Sequence, residues 1–543
     1  LYVNGITIGD VLRAAAVRDA DRLFVRCGQR EISFAGADAA VDSLARILLA
    51  RGLGHGSRVA LLLSSIAEFP LYLIACARIG AICIPIGTRY TGPEIVDLLR
   101  RSRAVALVLG DFCGGPDFAA RISETAPGFD PQREDLPGGA ALPDLATVIH
   151  VADPASASEL LLPQENEASQ DALSAAEAGV LVHDPVIVVY TSGTSGAPKG
   201  AVHTHAMLRN CANMVRAFGI TREDRILGHM PLYHVAGLCA ALIPPLLTGS
   251  SVTLVRAWDA TAVAALIERS RITMFGGIPT HYVDLLEAVA QGGYDTSSLR
   301  TAWIGGATIS PELARRAVRE LGLGGLQAIY GMTETCSTTT LTPIGDDLAR
   351  VCENKGKTIG DFEVSIFDPQ TGSRCATGES GEVRVRGYLV MSGYLDDPKA
   401  TAEAIDADGW FHTGDLGAFD AQGYLQIRGR LKDVFRVGGS TVSPAEVEQA
   451  IATLDGVRQA VVVGVADARL GEVGFAFVQP MHEDAIARAD IDAHLRERLA
   501  GYKRPRFIRF VDAFPMTSTG KLRREELRRI AGEEARAAAS AAA

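Results

Sequence analysis

Apolar residues recur at helical spacing from Ala35 to Leu53 (Val41, Leu44, Ala45, Leu48, Leu49), and the run stops at Gly52 and Gly54. Short unbroken apolar runs at 59–63, 82–86 and 105–109 predict buried strands, with helices over 69–79 and 93–101. That alternation predicts parallel α/β layers. It resumes with helices at 205–218, 236–247, 260–269, 279–290 and 310–321. Strands are predicted near Ile226 and at 252–255, 272–275, 301–304 and 326–329. The second set repeats the element order of the first, which predicts an α/β protein of two stacked subdomains. From Lys357 to Ile427 short alternating strands with Gly-rich turns predict a small β unit. Helices 444–454 and 484–499 with strands 460–465, 473–478 and 507–511 predict a small α+β domain at the end. Residues 112–179, rich in Pro, Gly, Ala and acidic side chains, read as a loosely structured excursion. The alanine-rich end from Ala535 reads as a fraying helix or a disordered tail.

A chain of 543 residues exceeds what one core usually organises, so two or more domains are expected. Hydrophobic content of 48% with 22% charged residues is that of a globular enzyme. A formal net charge of −11 argues against nucleic acid as a main partner. Nine cysteines without a C-x-x-C pair indicate neither a zinc site nor a disulfide framework, and a cytoplasmic location is expected. The first residues carry no basic stretch followed by an apolar core, so no signal peptide is expected, and a start at Leu1 without Met suggests trimming. Glu68 and Pro70 interrupt one long apolar stretch, and Pro244-Pro245 with Gly249-Ser-Ser251 interrupt another, so both read as core, with no membrane span. Nine basic against three acidic residues between Gly501 and Arg529 fit either a solvated rim or a face that meets phosphates.

The densest chemistry lies at Tyr190-Thr-Ser-Gly-Thr-Ser-Gly-Ala-Pro-Lys-Gly200, directly after an apolar strand. Glycines let backbone N–H groups converge on an anion, hydroxyls add donors, and Lys199 supplies a point charge for a polyphosphate. It is not a Walker loop, because Pro198 and Gly200 stand where that motif needs Gly and Ser or Thr. Any divalent cation must be held elsewhere. A second cluster, Tyr330-Gly-Met-Thr-Glu334, follows a strand and pairs with Gly305-Gly-Ala307 at the end of the preceding one. There an aromatic can stack on a base, a threonine can bind phosphate and a glutamate can hold the cation. In Trp410-Phe-His-Thr-Gly-Asp-Leu-Gly417, Asp415 is suited to accept two ribose hydroxyls. The fourth cluster runs from Gly429-Arg430 through Gly438-Gly439 to Glu446. The fifth is Pro515-Met-Thr-Ser-Thr-Gly-Lys521, where a lysine after a flexible turn can swing into a cleft.

In this order and spacing the five clusters resemble the adenylate-forming superfamily: acyl- and aryl-CoA synthetases, adenylation domains of peptide synthetases, and beetle luciferases. The likeness covers essentially the whole chain. It implies a large N-terminal domain over 1–430 (the β unit at about 357–427), a hinge at 431–432, a mobile C-terminal domain over 433–530 and a tail over 531–543. It implies ATP, Mg2+ and coenzyme A, with Thr191, Ser192, Gly193, Thr194, Ser195, Gly196 and Lys199 around the β- and γ-phosphates. Gly306, Ala307 and Tyr330 would line the adenine slot, with Gly331 and Met332 in the same nucleotide-binding turn. Thr333 would meet the α-phosphate, Glu334 would hold Mg2+, and Asp415 and Arg430 would grip the ribose. Lys521 would bridge the carboxylate and the α-phosphate. Rotation at Lys432 would then replace Lys521 by the Gly438-Gly439 segment beside the coenzyme A path, near His234.

The expected activity is an AMP-forming acid–CoA ligase. Its acid would be a medium- or long-chain fatty acid among Val235, Gly237, Leu238, Ile278 and Ala307, with an aryl acid of benzoate or cinnamate type as the alternative. Loading of a carrier protein, luciferase-type oxygenation and a non-catalytic adenylate-binding regulator are the competing readings. The last is disfavoured because Lys521 and Glu334 are both present. A zinc role for His203 or His205 lacks further ligands at metal spacing. The expected partners are small molecules, with the chain a monomer or homodimer. Two departures from the family pattern, Gly439-Ser-Thr441 and Thr335-Cys-Ser-Thr-Thr-Thr340, fall where acceptor and acid are read.

Overall fold

The structure, a computed structural model, describes residues 5–110, 117–133, 137–151, 166–191, 198–306, 309, 311–353, 355–482, 485–516 and 522–542. The strands Arg58–Leu62, Ile82–Pro85, Ala106–Leu109 and Thr147–His150 join Pro185–Thr191 in a sheet whose core pairings are parallel. The first three of these carry almost unbroken apolar burial, as strands covered on both faces require. Lys199–Thr204 and Gly393–Tyr394 extend this sheet in antiparallel fashion to seven strands.

The second sheet has thirteen strands. Its parallel centre is Arg225–Gly228, Ser251–Leu254, Met274–Gly277, Thr301–Gly305 and Leu326–Tyr330, and the hairpin Leu23–Cys27/Arg30–Ser33 closes one edge. The β unit is joined to the other edge. Thr340–Leu341 pairs with both Ile329–Tyr330 and Lys357–Thr358, and Lys355–Gly356 pairs with Leu425–Gln426. One hydrophobic core spans both sheets, taking in Val59, Leu61 and Val186 from the first and Val25, Ile226 and Met274 from the second. The helix Glu68–Arg78 is buried along its whole length within it.

That burial explains an otherwise costly pair. Arg30 donates through both guanidinium nitrogens to Glu68, at 2.5 and 2.8 Å, with the two side chains only 4% and 2% exposed. The pair ties the edge hairpin of one sheet to the helix packed between the sheets. Glu68→Ala leaves a buried guanidinium uncompensated and is expected to cost about 3–5 kcal/mol. Chemical denaturation of the two proteins measures it.

One sequence expectation is corrected, and one pair of alternatives is resolved toward helix. The excursion over 112–179 contains the helix Phe118–Thr125, the strand Thr147–His150 and the helix Gln170–Ala178. These helices start on Asp117 and Ser169, whose side chains accept from Ala120 and Ala172 N–H. The strand was hidden because only Val148 and Ile149 are apolar and buried in it. The alanine-rich end belongs to one helix, Arg524–Ala542, whose Ala531 and Ala535 pack against Val461 and Val463 of the terminal sheet.

That terminal sheet has five strands: Ser440–Val442, Phe435–Val437, Gly471–Pro480, Val457–Asp467 and Phe507–Phe510. The helices Pro444–Ala452 and Arg488–Arg498 share a separate core with it. Among the described residues no helix is long and apolar enough to cross a membrane.

Candidate active site

The glycine-rich segment joins two antiparallel strands. Thr191 and Lys199 are direct partners in the ladder, and the Thr191 hydroxyl donates to the Lys199 carbonyl at 3.4 Å. Ser192, Gly193, Thr194, Ser195 and Gly196 lie outside the described residues. The strand pairing nevertheless fixes Lys199 at the mouth of their loop, opposite Thr191.

Tyr394 links this lysine to the second cluster. The Lys199 ammonium sits 5.1 Å from the centre of the Tyr394 ring, and the Tyr394 hydroxyl donates to Glu334 Oε1 at 3.0 Å. Burial, then the Glu334 charge, pushes the phenol up, so it remains a donor. Tyr394 had been missed. Its signal is local: Asp397 caps the helix Pro398–Ala404, and the Thr401 hydroxyl accepts from Tyr394 N–H at 2.9 Å. That local signal fixes the Tyr394 backbone, while its hydroxyl meets Glu334 across the fold.

Glu334 sits in the turn Thr333–Thr335 directly after the strand Leu326–Tyr330. The turn is held from three sides. His203 Nε2 lies 2.7 Å from the Thr333 carbonyl, Met391 N–H donates to the Glu334 carbonyl at 2.8 Å, and Asn210 donates to the Cys336 and Thr338 carbonyls at 3.0 Å each. Cys336 and Ser337 adopt φ of +51° and +76°, a conformation costly for side-chain-bearing residues and found where surrounding contacts over-determine it. Gly331 lies so close to the Ser337 carbonyl that a Cβ would approach to 1.8 Å, so only glycine fits. Met332 precedes the turn and packs near Met391 and Phe411.

Tyr330 reaches the third cluster. Its hydroxyl donates to Asp415 Oδ2 at 2.9 Å, and Arg430 Nε lies 3.1 Å from Asp415 Oδ1. The antiparallel register of Phe411–Phe419 with Leu425–Arg430 sets Asp415 directly opposite Arg430. Asp415 is 5% exposed, and burial pushes its carboxyl up against the pull of Arg430. Burial likewise pushes the Tyr330 phenol well up. Gly306 follows the neighbouring strand at φ +79°, and Ala307 lies outside the described residues. Lys199 thus starts a strand of the first sheet, while Tyr330, Glu334, Asp415 and Arg430 stand on or just after the strands Leu326–Tyr330, Phe411–Phe419 and Leu425–Arg430 of the second.

Lys432 lies in the turn Leu431–Asp433 between Arg430 and the terminal sheet, and burial lowers its ammonium. Next to it Asp433 meets Arg528 at 3.4 Å, while Arg524 grips Glu448 at 2.8 and 3.0 Å. Gly438 and Gly439 form a two-residue hairpin loop, with φ of +56° and +87° and Val437 paired to Ser440. A hairpin loop with two positive φ values asks for glycine, so the fold itself accounts for both. Lys521 and residues 517–520 lie outside the described residues, between Met516 and Leu522, which form a β-bridge.

His234 precedes the helical turn Val235–Gly237, its ring 4.8 Å from that of Tyr233. A small cavity of about 10 Å³ opens beside this turn, lined by Met230, Ala236, Ala240, Met274, Gly276 and Trp303, among others. Of the residues expected at an acyl pocket, Val235 and Leu238 are buried in the same core as the cavity-lining Met274 and Trp303, Gly237 lies against the Pro231 carbonyl, and Ile278 lies beside Gly306 and precedes the helix Pro279–Gly292. The turn Val235–Gly237 runs on into the π-helical stretch Leu238–Leu242.

The description of AMP-binding enzymes matches residues 12–395, and that of the AMP-binding enzyme C-terminal domain matches 446–521. The chain belongs to the AMP-binding, adenylate-forming enzymes, in their acyl-CoA synthetase branch. It is 38% identical over 90% of its length, and 92% of the relative's, to a Mycobacterium tuberculosis propanoyl:CoA ligase whose acid carries a methyl-dioxo-octahydro-indenyl ring. It is 35% identical to feruloyl-CoA synthase of an Amycolatopsis species, over 94% of this chain and 96% of that one. Among solved structures, the anthranilate CoA ligase AuaEII in complex with anthranoyl-AMP superposes with a TM-score of 0.84 at 26% identity, covering 98% and 99% of the two chains. The enzyme is accordingly an AMP-forming acid–thiol ligase, with the two-domain α/β architecture of this family.

Proposed function

We propose that the enzyme joins coenzyme A to a hydrophobic carboxylic acid built on a compact ring system. The observation that carries this is the wall of the apolar cavity. The Trp303 indole lies across the strand Met274–Gly277 so closely that a Cβ on Gly276 would come within 1.9 Å of it. The indole, with Ile226, Leu227, Met230 and Met274 around it, offers a flat face on which a ring can lie once the wall gives way to a bound acid. Relatives whose acids are an indenyl propanoate, ferulate and anthranilate support the same reading.

The chemistry divides in two. A carboxylate oxygen attacks the α-phosphorus of ATP and pyrophosphate leaves with the bonding pair. The coenzyme A sulfur then attacks the acyl carbon and AMP leaves. No side-chain nucleophile is needed, so the residues align and neutralise. Thr191, the segment 192–196 and Lys199 hold the β- and γ-phosphates. Gly306, Ala307 and the Tyr330–Met332 turn receive adenine, Thr333 meets the α-phosphate, and Asp415 with Arg430 holds the ribose. The Glu334 carboxylate fits a cation ligand: one oxygen is oriented by Tyr394, which leaves the other to coordinate. Mg2+ held there would neutralise phosphate charge. Lys521 acts in the first step, and turning about Lys432 brings the Gly438-Gly439 hairpin toward the thiol path near His234 in the second.

Trp303→Leu is expected to lower kcat/KM for a ring acid by about 10–200-fold, the range a hydrophobic pocket commands. It should raise kcat/KM for straight-chain acids. AMP release with each acid class measures both. A Trp303→Leu enzyme with unaltered preference would remove the cavity from the acid site.

A further inference from the structure

Three cysteines that the sequence scatters are gathered behind the nucleotide turn. Cys211 lies in the helix Met207–Ala217, Cys239 in the π-helical stretch and Cys336 just after Glu334, and all three are fully buried. Their sulfur atoms all lie within 4.8 Å of one another, with Cys239 and Cys336 at 3.8 Å. We propose that these three thiols are a binding site for a thiophilic d10 cation such as Zn2+ or Cd2+, and that filling it disables the turn carrying Glu334.

The geometry suits that ligand class. Sulfurs bound at ~2.3 Å around a trigonal or tetrahedral centre stand roughly 3.8–4.0 Å apart. The cluster is therefore within about 1 Å of closing on an ion. Binding is a coordination step without redox change: each thiol passes its proton to water as its sulfur lone pair forms the metal–sulfur bond, so three protons are released per divalent ion.

The route inward and the functional coupling are both local. Ala236, Ala240 and Ala241, on the same helical stretch as Cys239, line the apolar cavity, so the cluster lies one turn of loosely wound helix behind it. Cys336 holds the left-handed conformation that ends the Glu334 turn, and Asn210, one residue from Cys211, clamps its carbonyl. Drawing the Cys336 sulfur toward Cys211 and Cys239 pulls on the backbone two residues from Glu334. Buried cysteine as plain apolar filling is the competing account.

The test is titration of the reduced, full-length protein with Cd2+ alone. The thiolate-to-metal ultraviolet band and metal content after desalting are followed. The expected result is one retained ion per chain, an all-sulfur cadmium NMR shift, and suppressed AMP formation in step with occupancy. Cys211→Ala and Cys239→Ala should each weaken binding by ~100-fold or more, since loss of even an outer partner costs that much. Cys375→Ala, at a half-buried thiol elsewhere, should retain it. A wild-type protein that retains no Cd2+, or gives no all-sulfur shift, overturns the site whether or not the variants fold. Retention undiminished in Cys211→Ala and Cys239→Ala overturns it as well. Stoichiometric binding with undiminished AMP formation overturns the coupling to Glu334. The binding readouts are independent of which acid the enzyme uses.

Discussion

Lys521→Ala should slow acyl-adenylate formation by about 10²–10³-fold, the usual effect of deleting one donor aimed at developing charge. It should leave thioester formation from supplied acyl-adenylate nearly unchanged. The asymmetry follows from where charge builds. In the first step the pentacoordinate α-phosphoryl group and the incoming carboxylate together carry negative charge that the Lys521 ammonium would meet. In the second the leaving group is already AMP. Lys521 lies outside the described residues, but its flanking Met516 and Leu522 bridge to each other. Arg523 reinforces that bridge by donating to the Met516 carbonyl at 2.9 Å. Single-turnover assays of each half-reaction measure the split. Equal loss in both would remove the two-conformation assignment.

Asp415→Ala should raise the KM for ATP by roughly 10²–10⁴-fold while changing the KM for the acid little. Two hydrogen bonds from ribose hydroxyls to an ionised acceptor are worth ~1.5–3 kcal/mol each, and each ~1.4 kcal/mol is tenfold. The substitution also strips the Tyr330 hydroxyl and the Arg430 guanidinium of the acceptor they share. Asp415→Asn keeps the shape and one acceptor oxygen, and its defect should be smaller. A rise in the acid KM matching that for ATP would show that the site had collapsed and that ribose binding was not the specific loss.

The sequence carried the alternation of strands and helices well, because buried parallel strands are nearly pure apolar runs and the helices between them end in glycine or in capped starts. The nucleotide motifs were legible for the same reason: each sits at a strand end, where a change from apolar to small polar residues is abrupt. Contacts made across the fold were not legible. Tyr394 lies 60 residues from Glu334 and on the edge of the other sheet, so only tertiary structure brings its hydroxyl there. The π-helical stretch Leu238–Leu242 was equally hidden, because no periodicity rule sees a single widened turn. The pairing of Arg30 with Glu68 was hidden too, since their burial depends on a hairpin and a helix meeting across the inter-sheet core. The cysteine cluster escaped because spacing rules look for neighbours in sequence.

The glycine pair at 438–439 carries a different lesson. A family pattern assigns it to the thiol path, while its hairpin geometry already requires glycine there. Structural necessity and a functional role coincide at these positions, so a substitution would report on both at once.

The most direct measurement is AMP release from ATP across acids of graded shape, with and without coenzyme A. Straight-chain acids, benzoates, cinnamates and bicyclic propanoates would form the panel. The account predicts that ring acids drive AMP release and that coenzyme A accelerates it. Coenzyme-A-dependent turnover of straight-chain acids alone would contradict the ring-acid assignment. Acid-dependent pyrophosphate exchange indifferent to coenzyme A would contradict the ligase reading and point to a carrier protein as acceptor.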